Sequence, residues 1–189
     1  MKKLETILTG LDPTKVIGKM DLVIRNISSN SKNINTKYLF VAIEGNRLDG
    51  HKFIDNAVEQ GASTVVCEKL PDSLVKNITY IKVKSSRKSY AKICCNFFGN
   101  PSKELKLIGV TGTNGKTTTV SLAHDLMLKM GYKSGLISTN TIKINNKNYK
   151  TDLTTPDSYY TNLYLRKMVD LDVNFCFMEV SSHSIHQDR

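Results

Sequence analysis

The stretch "VTGTNGKTTT", residues 110–119, puts two glycines, a lysine and five threonines into ten positions. Those residue types suit a phosphate. Phosphate oxygens bind where backbone N–H groups converge at a helix N-terminus, and the helix dipole favours negative charge there. Gly112 and Gly115 let the backbone turn tightly and approach a ligand closely. Lys116 supplies charge to the outer phosphates, and the Thr117 hydroxyl is placed to ligate magnesium. The strict pattern G-x-x-x-x-G-K-[ST] asks for glycine at 110, where this chain has Val110. The loop is therefore a variant, with its upstream glycine at Gly112. It reads as a nucleoside-triphosphate site formed by Gly112, Thr113, Asn114, Gly115, Lys116, Thr117 and Thr118. The residues do not specify whether the γ-phosphate passes to water, a hydroxyl or a carboxylate.

A second candidate lies near the other end of the sequence. "FCFMEVSSH" is an apolar strand that terminates in Glu179. Ligands of open α/β sheets collect at the carboxyl ends of strands, so a carboxylate there is placed to hold a metal bridging nucleotide phosphates. "TTPD" (154–157) reads in two ways. It is a turn in which Asp157 or Ser158 caps the following helix, or its hydroxyls bind a second anionic substrate. His183 and His186 have H-x-x-H spacing but lack two further ligands, so no zinc site is expected.

These residues need elements to position them. "KLIGV" (106–110) is a nearly continuous apolar run, as expected of a strand buried on both faces of a parallel sheet. After the glycine-rich stretch, Val120, Ala123, Leu126, Met127 and Met130 recur at helical spacing, and Gly131 sits where a C-cap glycine belongs. The order is strand, loop, helix. "KSGLIS" and "VNFCFMEVSS" predict two more buried strands, with the helix "SYYTNLYLRKMVDL" between them. Upstream, residues 21–84 alternate in type. "DLVIRNIS" and "KYLFVAIEG" read as strands, "HKFIDNAVEQGA" as a helix ending at Gly61, and "STVVCEK" and "ITYIKVK" as strands. A helix, "SRKSYAKICCNFFG", opens on Ser85 or Ser86 and stops at Gly99. Pro101 in "NPSKEL" cannot continue it, which sets a boundary between domains at 1–103 and 104–189.

Composition narrows the function class. Twenty-seven Lys and Arg against 17 Asp and Glu give a net charge of +10. The lysines are scattered singly, without the aromatic interleaving of single-strand binders, so anionic small ligands are expected rather than nucleic acid. An apolar fraction of 40% is enough for a buried core. Cys67, Cys94, Cys95 and Cys176 form neither a CxxC pair nor a secreted framework, which predicts a reducing cytoplasm. The N-terminus has no apolar signal region and no window approaches a membrane span, so no membrane partner is expected.

The motifs together resemble the Mur ligases of bacterial peptidoglycan synthesis. "GVTGTNGKTTT" is similar to their ATP loop, including the missing upstream glycine. "NSKNINTKYLFVAIEGNRLDGHKFI" (30–54) is similar to their N-terminal uridine-nucleotide domain, "TTPD" to a muramoyl-peptide contact, and "MEVSSHSIHQDR" (178–189) to their strand carrying a magnesium glutamate. Within the family, the resemblance runs closest to the member that adds the third residue of the stem peptide.

The resemblance implies an α/β chain in which a small N-terminal uridine-nucleotide domain precedes an incomplete P-loop-type parallel-sheet central domain. It implies ATP and Mg2+ as cofactors, with Lys116 and Glu179 catalytic and Thr117 and Glu179 at the metal. Substrate contacts would come from Ser31, Thr154, Thr155, Ser181, Gln187 and Arg189. The family usually shows Asp-Ser-Arg where this chain has Asn30, Ser31 and Lys32. The implied reaction is phosphorylation of the D-glutamate carboxylate of UDP-N-acetylmuramoyl-L-alanyl-D-glutamate, followed by attack of a diamino acid's amine on the acyl phosphate. The rest of the central domain and a C-terminal domain would follow Arg189. These 189 residues alone are therefore expected to pair a folded first domain with a poorly stable half-domain that has open strand edges and no ligase activity. The other readings are the next ligase of the same pathway, a folylpolyglutamate synthetase, and a non-catalytic nucleotide-binding remnant.

Overall fold

Short apolar runs separated by Asn-, Gly- and Lys-rich turns build two successive five-stranded sheets and a small two-stranded one. The computed structural model describes residues 1–45, 48–138, 141–149 and 157–181. It divides into two units, Met1–Phe97 and Phe98–Arg189.

The first unit comprises β1 (Lys2–Lys3), α1 (Leu4–Ile7), β2 (Lys15–Ile17), β3 (Val23–Ile24), β4 (Asn26–Ser28), β5 (Tyr38–Val41), α2 (Ile54–Glu59), β6 (Ala62–Cys67), β7 (Thr79–Lys82) and α3 (Ser86–Phe97). Its sheet runs β2-β7-β6-β5-β4. Strands β4 to β7 are parallel neighbours in chain order, and β2 closes the edge antiparallel to β7. Their carboxyl ends therefore share one rim. Phe40, Ile54, Val65 and Tyr80 pack into the core beneath it.

Two expectations need adjusting here. "DLVIRNIS" is two strands, because β3 pairs antiparallel with β1 while β4 pairs parallel with β5. The "HKFIDNAVEQGA" helix opens as a 3-10 turn, Gly50–Phe53, before α2 begins. The cap of α3 is Ser85, whose Oγ accepts from the Lys88 N–H at 3.3 Å.

The second unit comprises β8 (Lys106–Val110), α4 (Lys116–Lys129), β9 (Ser134–Ile137), β10 (Ile142–Ile144), β11 (Lys147–Tyr149), α5 (Ser158–Asp170) and β12 (Phe175–Glu179), after a 3-10 turn at Pro101–Lys103. Its sheet runs β11-β10-β9-β12-β8. Strand β12 lies between β8 and β9, parallel to both, and β10 and β11 add an antiparallel hairpin. The chain passes from the first unit to the second at Phe97, a few residues before the boundary read at 103/104. The intervening segment is held by α5: Phe98 meets Tyr159 edge-on at 5.2 Å, and the Arg166 guanidinium donates to both Glu104 oxygens at 2.8 and 3.3 Å.

Strand β8 is not buried on both faces as its apolar run predicts. It is an edge strand, paired with β12 on one side and, among the described residues, with nothing on the other; Leu107 is 38% exposed. The place between two parallel neighbours belongs to β12, which is no less apolar. Helix α4 differs in the same way. Val120, Ala123 and Met127 pack with Leu136 and Phe177, yet Leu126 and Met130 face solvent. The buried position on that helix is taken instead by His124, which is fully buried. Among the described residues no helix is long and apolar enough to cross a membrane.

Candidate functional site

The parallel trio β8, β12 and β9 fixes where ligand chemistry can occur. Strand β8 delivers the loop 111–115 to the N-terminus of α4, and β12 brings Glu179 to the carboxyl end of the neighbouring strand. The pairing continues past Glu179, because the Val180 N–H donates to the Val110 carbonyl at 2.9 Å.

Two glycines shape the loop. Gly115 adopts φ +79° as the residue preceding α4, and Gly112 adopts φ +152°. Both are conformations that L side chains rarely take. A Cβ added at Gly115 would meet nothing within 4 Å, so the space over the loop is open. The first N–H groups of an α-helix have no intrahelical acceptor, and here the loop ends at the positive end of a 14-residue helix with no side-chain cap. Lys116 folds back over the loop. Its Nζ donates to the Gly112 carbonyl at 2.7 Å and the Thr113 carbonyl at 3.3 Å. A phosphate arriving at the loop would compete for that ammonium, which is close enough to transfer its bonds without leaving the site.

The metal candidates meet directly. The Thr117 hydroxyl donates to the Glu179 Oε2 at 3.0 Å, linking residues 62 positions apart. Both are hard oxygen donors of the kind magnesium selects. Adjacent oxygens around an octahedral magnesium at about 2.1 Å sit about 3 Å apart. The pair thus fits a magnesium ion, with the hydroxyl redirected from the carboxylate to the metal.

The other expected residues are distributed more widely. Ser181 lies two residues past Glu179, at the same carboxyl end. Ser31 belongs to the first unit, in the 3-10 turn Ser31–Asn33 that follows β4, and is 8% exposed. Asn30 caps that turn, its Oδ1 accepting from the Lys32 N–H at 3.0 Å, so the amide fills the capping role an aspartate would have. Asp157, not Ser158, caps α5: its Oδ1 accepts from the Tyr160 N–H at 3.0 Å. Thr154, Thr155, Gln187 and Arg189, with His183 and His186, lie outside the described residues. A groove of about 420 Å³ lined by Lys106, Tyr132, Asn174 and Phe175 opens at the amino ends of β8 and β12, the opposite end of the sheet from the loop. Carboxyl-end geometry and the phosphate loop favour the other end as the functional one. The loop, Thr117 and Glu179 were legible in sequence; the fold-back of Lys116 was not, since it depends on carbonyl directions within the turn.

Comparison with known proteins points to one family. The Mur ligase middle domain matches residues 110–189, and a second domain described as the Mur ligase family catalytic domain matches residues 23–97. The UDP-N-acetylmuramoyl-L-alanyl-D-glutamate--2,6-diaminopimelate ligase of Phocaeicola vulgatus is 45% identical over 187 residues, 99% of this chain and 39% of its own length. The chain therefore spans about two fifths of that relative. A solved structure of a ligase of the same name superposes with a TM-score of 0.78 at 21% identity, covering 99% of this chain and 37% of that one. The MurF ligase of Thermotoga maritima, solved with ADP, superposes with a TM-score of 0.54 at 27% identity, covering 87% of this chain and 34% of that one. With both of its units matched by domains of one family, and a phosphate loop and carboxylate strand arranged as described, the chain belongs to the Mur ligase family.

Proposed function

We propose that this chain supplies the uridine-nucleotide and ATP-binding parts of an ATP-dependent ligase that joins a diamino acid, 2,6-diaminopimelate first among candidates, to UDP-N-acetylmuramoyl-L-alanyl-D-glutamate. The observation that carries the reading is the 3.0 Å contact between Thr117 and Glu179 beside the open loop. The names of the relatives at 45% and 44% identity support the choice of substrates.

In this reading the loop N–H groups and Lys116 bind the β- and γ-phosphates of ATP and hold them in line with the incoming carboxylate. An oxygen of the substrate's D-glutamate carboxylate attacks the γ-phosphorus; the bond to the ADP oxygen breaks and ADP leaves with that electron pair. The diamino acid's amine then attacks the acyl carbon, the C–O bond to phosphate breaks, and the amine gives up a proton as the amide forms. Thr117 and Glu179 would hold magnesium, which when bound neutralises phosphate charge. Phosphoryl transfer asks the protein mainly for positioning and charge stabilisation, which are what these residues offer. Lys116 travels with the transferred group, and Ser31 and Ser181, with Thr154, Thr155, Gln187 and Arg189, contact the muramoyl substrate.

Calorimetric titration with a non-hydrolysable ATP analogue, with and without magnesium, tests the nucleotide half. Magnesium is expected to tighten binding to the parent chain, and Thr117→Val and Glu179→Gln should each remove that gain while leaving the metal-free affinity within about twofold. Equal magnesium enhancement in both variants would sink the assignment. In the complete ligase, phosphate release that depends on the muramoyl-dipeptide and the diamino acid together tests the reaction itself.

A further inference from the structure

The motif Asp49-Gly50-His51 has no part in the site described so far, yet several hydrogen bonds tie it into the first unit's rim. The segment after β5 turns back on itself. Gly50 N–H donates to the Ile43 carbonyl and Gly45 N–H to the Leu48 carbonyl, each at 2.9 Å, and Glu44 bridges Asp49 antiparallel. Gly50 is required there, because a Cβ would lie 2.7 Å from both the N and the O of Ile43.

His51 then joins this turn to the next strands. Its Nε2 accepts from the Glu68 N–H at 2.9 Å, immediately after β6. That bond leaves the ring hydrogen on Nδ1, from which it donates to Asp49 Oδ1 at 2.7 Å. Asp49 Oδ1 also accepts from the His51 N–H at 2.9 Å. Glu68 carries the chain onward, its Oε1 accepting from the Ser86 N–H at the start of α3 at 2.8 Å. From the other side, Arg87 donates to the Glu44 carbonyl at 3.1 Å. The ends of β5, β6 and β7 are thus bonded into one rim.

The core gains little from this. Leu48 is 68% exposed, and Glu44 and Gly45 are exposed as well. A connection between β5 and α2 needs no such bracing. An exposed segment held rigid at the carboxyl ends of parallel strands is what a ligand site looks like when its ordering cost has been met in advance. The limbs 43–45 and 48–50 stand next in the sheet to the turn containing Ser31, since β4 and β5 are neighbours.

We propose that His51 is a positioning residue for the uridine-nucleotide substrate, acting through Asp49 and Glu68 to hold the limbs 43–45 and 48–50 in their binding geometry. This rests on the reading of the first unit as the nucleotide-substrate domain. The requirement is chemical: one side chain must donate to Asp49 and accept from Glu68 at once. Glutamine meets it, whereas leucine does not, and asparagine is too short to reach both.

The test is titration of the chain with UDP, alongside the ATP analogue as an internal reference for the second unit. His51→Leu is expected to weaken UDP binding roughly tenfold to hundredfold, leave the ATP-analogue affinity unchanged, and be restored by His51→Gln to within about threefold of the parent. If His51→Leu does not fold, His51→Asn takes its place with the same expectation. Parent-like UDP affinity in the leucine or asparagine variant overturns the positioning role, as does a failure of glutamine to restore what leucine removes. Absence of UDP binding by the parent chain overturns the underlying domain reading instead. In the complete ligase the same variants should raise KM for the muramoyl substrate and leave kcat within about twofold.

Discussion

His124 offers the sharpest test of the packing between α4 and the second sheet. It is fully buried, its Nδ1 lies 3.0 Å from the Ser134 hydroxyl, and its Nε2 has no hydrogen-bond partner among the described residues. An orphaned buried polar atom costs about 1–3 kcal/mol. Burial pushes the imidazole below its usual range, with Lys143 adding to the effect, while Asp125 and the backbone at Gly135 and Asn145 oppose it. The folded state therefore prefers neutral His124. The unfolded chain takes up a proton near the ordinary histidine value of about 6.5. Stability from this residue is complete above that pH and is lost as pH falls toward the depressed folded value, at up to about 1.4 kcal/mol per pH unit. Replacing both partners, His124→Leu with Ser134→Ala, removes the orphan and the titration together. Urea denaturation followed at pH 7, 6 and 5 should show the parent losing stability on acidification faster than the double variant, by roughly 1 kcal/mol or more across the range. The double variant should be at least as stable at pH 7. His124→Leu alone should be worse than the pair, since it strands the Ser134 hydroxyl. Parallel pH profiles for parent and double variant would refute the argument.

Two further outcomes follow from particular atoms. Gly50→Ala forces a methyl group onto the Ile43 backbone and should lower the first unit's stability by about 1–3 kcal/mol, read as a fall in its denaturation midpoint; an unchanged midpoint would mean the turn relaxes freely. Burial pushes the Cys67 thiol up to about 11 and Cys176 up to about 12. At pH 8 iodoacetamide should label the partly exposed Cys95 well before either, as peptide mass spectrometry would show, and comparable labelling of all three would contradict the burial.

What could be read in advance was whatever local chemistry determines. Gly115 and Gly131 marked the two ends of α4, with φ of +79° and +84°, because only a residue without a Cβ takes those angles cheaply. Glu179 was identifiable as the first acid after an apolar run. The place of that run in the sheet was not, since β8 and β12 look alike in composition and only their pairing decides which is the edge. The same holds for Leu126 and Met130, whose spacing matches a buried face that α4 turns elsewhere. "IKINNKNY" does alternate around a polar pair, and Asn145 takes φ +51° in its turn, so the β10–β11 hairpin carried a signal that was missed. The His51 bridge had no such signal, because Asp49 lies two residues away but the Glu68 N–H, 17 positions distant, is brought to the ring by the fold and not by the spacing.

The order of strands in the second unit has a consequence for how the protein is made. In the first unit each parallel strand pairs with the one synthesised before it, so the sheet can grow as the chain leaves the ribosome. In the second, β8 ends at residue 110 and its partner β12 begins at 175. At roughly 5–20 residues per second, β8 waits on the order of 3–13 seconds before the strand that covers one side of it exists. The phosphate loop and α4 spend that interval without Glu179. A nascent chain can therefore complete its first unit well before Thr117 has Glu179 beside it, and the interval is when a chaperone or protease would find β8.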